Sequence, residues 1–410
     1  VTDFRTVVVG MTAVFVGSSA LMGCSAATDD PATSQDTGGS ALKTARIYVV
    51  APMSGEGAGL GLGVRNSVQL AVKQALQRQD VPGWNLEVVP LDDASERAGA
   101  KTAAEKAAAD EQTVAVIGSI YSGLTSEMQP ILGKAGIAHV APSATSPNLT
   151  KGEKFATAPK RPYDNFFRVI APDDAHGPTV AKYMRANGIQ RVAVVHDNDD
   201  YGKGLAEAFT KAFTAAKGKI VATGTVHTTG EPSFPGLVNT LVKAKPQAVF
   251  FGGQDPQGGP LSGQFKEAGM HVPLAGGDAL TTDLYIPKAG PLSSGDISTS
   301  AGAPVETVAA GKKYLADYSA ADFTETATGY GPLAYDATNA VLQALSQTLP
   351  SATTPKDARQ STAQALAKVS FEGTSGKVAF DEFGDITPRV VTVNVLKSGA
   401  WKPAKTYTLD

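Results

Sequence analysis

From Ala45 onward the chain alternates short apolar runs with amphipathic stretches, and after Pro172 it begins the same alternation again. Arg46–Val50, Leu86–Leu91, Val114–Ile117 and His139–Ala141 read as strands. Between them, Val64, Val68, Ala71, Val72, Ala75 and Leu76 recur at helical spacing, and Ser95–Asp110 and Thr125–Lys134 read as further helices. Strands that are apolar throughout are covered on both faces, and helices between them supply the cover, so the pattern predicts a parallel sheet. The second series places helices at Val180–Asn187 and Gly204–Lys217 and strands at Arg191–Val195, Lys219–Val226, Ala248–Phe251 and Pro273–Ala275. Helices at Val305–Ser319 and Tyr335–Thr348 and a hairpin-like tail with Gly384-Asp385 and Gly399-Ala400-Trp401 complete the chain. Two successive βα series predict an α/β fold of two doubly wound lobes, and 410 residues exceed what one core usually organises.

The first 24 residues carry a different message. Arg5 precedes an apolar, small-residue run from Thr6 to Ala20, and Leu21-Met22-Gly23 leads to Cys24, the one cysteine of the chain. Such a run has the form of a secretory signal and is too short to span a bilayer of ~30 Å. The Cys directly after it resembles a bacterial lipobox. Residues 1–23 are therefore expected to be a lipoprotein signal peptide and Cys24 a lipidation site. Residues 24–44, rich in Ser, Thr, Asp, Gly and Pro, are expected to form a flexible tether. The expected location is extracytoplasmic, on the outer face of the bacterial cytoplasmic membrane. Lys and Arg (36) nearly balance Asp and Glu (39) without a basic block, which argues against a nucleic-acid partner.

In open α/β sheets ligands collect where strands end and helix N-termini present free N–H groups. In the first such turn, Ala51–Gly63, the glycines alternate; no register gives G-x-G-x-x-G and no G-K-[ST] follows, so a cleft lining is expected rather than a nucleotide loop. Asp92 and Asp93 end the second strand. Gly118–Gly123 and Ala141–Pro147 each offer hydroxyls beside a helix start, a pair suited to a carboxylate, although N-capping alone also selects Ser and Thr there. His196–Gly202 is acidic, but its residues are consecutive rather than set at metal-ligand spacing, so it reads as a solvated, helix-capping loop. Gly252-Gly253-Gln254-Asp255 and Gly276-Gly277-Asp278 end two later strands; an acid there suits an ammonium group or simply caps a turn. The five histidines are scattered, no H-E-x-x-H occurs, and Ser122 lacks the elbow glycine two residues earlier. A non-enzymatic protein with no metal and no cofactor is the expectation.

Taken in order, Met53-Ser54-Gly55, Ile117-Gly118…Ser122, Ser143-Ala144-Thr145…Leu149-Thr150, Val195-His196-Asp197…Tyr201-Gly202, Phe251-Gly252-Gly253 and Gly277-Asp278 resemble the leucine/isoleucine/valine-binding protein family. These are the extracytoplasmic solute receptors of branched-chain amino acid ABC transporters. The resemblance spans Ala45–Asp410 and implies a type I periplasmic-binding-protein fold, two Rossmann-like lobes joined by three crossovers and closing by a hinge. The lobes it implies are 45–171 with 301–378, and 172–300 with 379–410. It places a ligand α-carboxylate at Ser122, Ser143 and Thr145, with Ala144 in the same loop, and the α-ammonium against Tyr201 and Asp278. Leu60 stands where the family often has an aromatic residue, and Gln254 where it often has Tyr; the family's early disulfide is absent. Those changes lie toward the ligand's side chain, so a wider pocket and a polar side chain both fit. The implied partners are an L-amino acid and a membrane ABC permease. Alternatives are an amide, urea or small carboxylate as the solute, and a sensor that reports ligand to a signalling protein.

Overall fold

A central strand with no polar edge belongs inside a sheet, and Thr113–Gly118 is buried at every position. The computed structural model describes residues 42–55, 57–227, 232–282 and 284–409. Its first sheet consists of β1 (Lys43–Ala51), β2 (Trp84–Asp92), β3 (Thr113–Gly118), β4 (Ala138–Ala141) and β5 (Phe166–Arg168), in the order β2-β1-β3-β4-β5 and all parallel. The connecting helices are α1 (Ala58–Arg78), α2 (Arg97–Ala109), α3 (Ser122–Lys134) and the single turn α4 (Asn148–Lys151). Helix α1 buries Val64, Val68, Ala71, Val72 and Ala75 of the face its spacing predicts, but Leu76, the last residue of that spacing, is 38% exposed.

After β5 the chain enters α5 (Asp173–Ala186) and builds a second sheet. The strands are β6 (Arg191–His196), β7 (Lys219–Thr225), β8 (Ala248–Gly252), β9 (Leu274–Gly276) and β10 (Ile297–Ala301), with helices α6 (Asp200–Ala215), α7 (Pro235–Ala244), α8 (Asp255–Glu267) and α9 (Tyr285–Ala289). The Phe209 ring of α6 stacks on Phe250 of β8 at 3.8 Å between centroids, clamping helix to strand. The chain then contributes α10 (Ala309–Ala320), α11 (Gly331–Thr348) and α12 (Pro355–Leu366); α11 packs on α1 and α12 on β3 and β4 of the first sheet. A small hairpin, β11 (Ser370–Gly373) and β12 (Gly376–Ala379), precedes β13 (Arg389–Lys397) and β14 (Ala400–Leu409), which extend the second sheet as β14-β13-β10-β9-β8-β6-β7. Strand β13 runs antiparallel to both β10 and β14. Ser398 and Gly399, both at positive φ, form the two-residue turn between β13 and β14.

Several elements depart from the pattern read along the chain. Gly59, Gly61 and Gly63 lie inside α1 rather than in a loop before it. Close packing requires one of them: a Cβ on Gly61 would fall 1.7 Å from the Pro52 carbonyl oxygen. Helix α5 starts at Asp173, two turns before Val180, and carries Pro178 inside it, where the ring removes one backbone hydrogen bond and crowds the carbonyl four residues earlier. Helix α3 starts at Ser122 and α11 at Gly331, and a 3-10 turn at Val305–Thr307 precedes α10. Strands β5 and β10, helix α12 and the β11–β12 hairpin carry too little periodicity to be read. Lys43 and Thr44, assigned above to the tether, instead open β1 alongside β2. The signal, Cys24 and the tether up to Ala41 lie outside the described residues. Among the described residues no helix is long and apolar enough to cross a membrane.

Candidate functional site

The strands of both sheets end toward one enclosed pocket, so the helices that follow them aim their N-termini at it. Ser122 is the first residue of α3, Tyr201 lies in the first turn of α6, and Gln254 caps α8. Each brings free N–H groups and the positive end of a helix dipole. The pocket wall is formed by Leu60, Ile120, Tyr121, Ser122 and Ser143 from the first sheet's side. Tyr201, Gln254, Asp255, Asp278, Ala279 and Thr282 come from the second, and Tyr330 from the turn before α11.

The most organised group on this wall is Asp278, only 5% exposed. Its Oδ1 accepts a hydrogen bond from the Tyr201 hydroxyl at 3.2 Å, and its Oδ2 accepts one from the Tyr330 hydroxyl at 2.8 Å. Burial, with the charge of Asp278 beside them, pushes both phenols well above their ordinary range, so they remain donors. An anionic carboxylate supported by two neutral donors is suited to a cationic ligand group. Across the pocket, the Ser143 hydroxyl donates to the Ile120 carbonyl at 2.9 Å, and Ser122 Oγ accepts the Ser146 N–H at 3.2 Å. Both hydroxyls are thereby oriented by backbone. Neither stands against a base that would make it a nucleophile.

Six of the eight residues expected at a ligand therefore meet on one wall: Leu60, Ser122, Ser143, Tyr201, Gln254 and Asp278. Ala144 and Thr145 do not line it. They are buried behind Ser143, where the guanidinium of Arg168 takes the carbonyls of Ala144 at 3.2 Å and Ser146 at 2.8 Å. Arg168 is itself held by Asp385 at 2.6 Å, so a wholly buried ion pair fixes the shape of the hydroxyl-bearing loop. Thr145 sits next to Asp173, whose carboxyl is driven well above the ordinary range by burial and by nearby Asp278.

The acidic loop after β6 is not the solvated cap that its sequence indicates. Asp197 is buried, and burial pushes its carboxyl up to about 7. Asp199 occupies the N-cap of α6 but makes no side-chain cap; with Asp200 it takes the guanidinium of Arg97, each at 3.1 Å. Arg97 begins α2 on the first sheet, so this ion pair joins the two sides at the pocket's mouth. Proximity in space, invisible in a run of consecutive acids, decides their role. Among the described residues, no group of three His, Cys, Asp or Glu is placed to hold a metal ion.

Reading along the chain missed Tyr330, Thr282 and Arg97, and left Asp255 between a cleft acid and a turn cap. Tyr330 had one usable signal, since Tyr-Gly-Pro is a helix start with Pro at its second position. Asp255 stood in view beside Gln254, but at the first position of a helix an acid is ordinarily explained by the dipole.

Residues 44–399 match the family described as periplasmic binding protein. A Leu/Ile/Val-binding protein of Rhizobium johnstonii is 30% identical over 86% of this chain and 92% of its own length. The leucine-binding protein LivK of Thermotoga maritima has a similar crystal structure, with a TM-score of 0.77 and 26% identity, covering 88% of this chain and 98% of that one. The branched-chain amino acid transporter substrate-binding protein LivJ of Streptococcus pneumoniae, solved with isoleucine, gives 0.76 and 25%, covering 90% of this chain and 99% of that one. The chain belongs to the periplasmic-binding-protein family, and within it to the group of the Leu/Ile/Val-binding proteins.

Proposed function

We propose that this protein is the extracytoplasmic solute receptor of an ABC importer, taking up an L-α-amino acid between its lobes and delivering it to a membrane permease. The observation that carries the reading is the pairing, in one enclosed pocket, of Asp278 under two tyrosine hydroxyls with Ser122, Ser143 and the α3 N-terminus opposite. An α-ammonium docks on the acid and an α-carboxylate on the Ser122 hydroxyl, whose proton is uncommitted, and on the free N–H groups of the α3 N-terminus and the Ser143 backbone. Each lobe meets one end of the zwitterion, so both ends are satisfied only when the cleft is shut, and ligand favours the closed form. The relatives named for branched-chain amino acids support this ligand class. The lobes are those expected from the sequence with their edges moved to the strands, residues 43–171 with 302–380 and residues 172–301 with 381–410. Thr145 acts from behind the wall, beside Asp173, and Leu60 and Gln254 border the ligand's side chain. Cys24 carries lipid and residues 25–42 form the tether that keeps the receptor near its permease.

Titration calorimetry on the full chain, unfolded and refolded to strip carried-over solute, tests the reading with a panel of L-amino acids. Binding by at least one of them, lost in Asp278→Ala, is the expected result. Silence across the amino acids, with heat from amides, urea or small carboxylates, overturns the ligand class.

A further inference from the structure

An amino acid's zwitterion is matched by only part of this pocket's wall. With the ammonium on Asp278 and the carboxylate on Ser122 and Ser143, a second carboxylate, Asp255, is still on the wall. It is 5% exposed and opens α8 directly after Gln254. It lines the same pocket as Asp278 and Tyr330. Asp255 also lines the adjoining mouth of the cleft, together with Gln254, Ser95 and Arg97. It thus stands where a ligand group beyond the α-carbon passes from the inner pocket toward the mouth.

We propose that Asp255, with Gln254, makes this receptor select L-amino acids whose side chains are uncharged hydrogen-bond donors, hydroxyls or carboxamides, over branched apolar ones. The inference rests on the amino-acid reading above. An apolar side chain laid against Asp255 and Gln254 strips water from the remaining acceptor positions of the carboxylate, beyond its ion pair with Lys288, and from the carboxamide, and returns no hydrogen bond. A hydroxyl or amide N–H restores what the water provided. Charge narrows the choice further. Lys288 reaches Asp255 at 3.4 Å, so that carboxylate already has a cation. An acidic side chain would meet both Asp255 and Asp278. A site built to hydrogen-bond a ligand group discriminates strongly against an analogue that lacks it.

Calorimetry on the full chain with serine, threonine, asparagine and glutamine against leucine, isoleucine and valine tests this. At least one polar amino acid is expected to bind roughly tenfold or more tightly than any of the three apolar ones. Asp255→Leu is expected to erase that ratio by weakening the polar ligand and strengthening leucine. Asp255→Asn, which keeps the shape and the helix start, guards against a folding defect and is expected to lower the ratio by less. Lys288→Met separates a structural role from a selective one: it removes the ion pair and should cost stability while leaving polar ligands preferred. Tighter binding of leucine, isoleucine or valine by the native chain, or an unchanged ratio in a folded Asp255→Leu, overturns the inference and leaves the amino-acid reading standing. Failure of every amino acid to bind overturns both.

Discussion

The two sides of the cleft meet at two charged contacts that obey different physics. At the pocket, Tyr330, half-buried, donates at 2.8 Å to Asp278, which is only 5% exposed. At the mouth, Arg97 takes Asp199 and Asp200 at 3.1 Å with its side chain 46% exposed. The buried contact has fewer formal charges in attraction, yet each of its groups would be stranded without the other. The exposed one has full opposite charges, but solvent screens them and side-chain entropy opposes them. Strength at this cleft follows desolvation rather than charge count.

The largest effect should come from Asp278→Ala. Leaving an ammonium and two phenols without their acceptor costs on the order of 3–5 kcal/mol, a loss of amino-acid affinity beyond roughly a hundredfold. Near-native affinity by calorimetry would break the comparison at its strong end.

Asp197 extends the same contrast within one loop. Its folded-state carboxyl titrates near 7 because it is buried, against about 4 in an unfolded chain. Between those values the folded protein holds a proton that the unfolded chain has released, so this group's contribution to stability falls as pH rises through that window. Asp197→Asn keeps the acceptor for the Asp199 N–H and removes the titration. Thermal melts from pH 4.5 to 7.5 should show a shallower decline in the variant, by up to a few kcal/mol of stability in total, an order-of-magnitude figure. Parallel curves would mean the carboxyl is not held as its burial implies.

Tyr330→Phe removes one donor from Asp278 and leaves Tyr201 in place. A hydrogen bond to a charged group contributes about 1.5–3 kcal/mol, and ligand affinity should fall by roughly ten- to a hundredfold. An effect equal to that of Asp278→Ala would mean that Tyr330 contacts the ligand as more than a support.

Arg97→Ala should be the mildest. Exposed ion pairs contribute about 0.2–1 kcal/mol, so affinity should change only a few-fold, through faster ligand release, and the difference from the native chain should vanish in high salt. Stopped-flow release rates at low and high ionic strength measure this. A large, salt-independent effect would place the mouth on a par with the pocket.

The chain's pattern carried the architecture further than the site. Fully apolar Val114–Ile117 and the 3–4 spacing from Val64 to Leu76 announce a covered parallel sheet, because burial on both faces leaves no other reading. β5 and β10 were not legible: three residues and five, one with Arg168 and the other with Ser298, Thr299 and Ser300, are too short and too polar to show a strand pattern and pair only because neighbours offer a ladder. The site was legible where its chemistry sits in a strand-end motif, as with Ser122, Ser143, Tyr201 and Asp278. It was not where the partner is distant, as with Tyr330, which lies 52 residues after Asp278.

By itself, then, the sequence determined that two βα series with hydroxyls at one set of strand ends and an acid at another would form the halves of a site. Periodicity and turn chemistry are local, so they survive without a structure. Only tertiary packing decided that Thr145 stands behind the wall, that Asp199 holds Arg97, and that Asp255 shares a pocket with Asp278. Those outcomes depend on which surfaces lose water together, a property of the folded arrangement and of no single stretch of the chain.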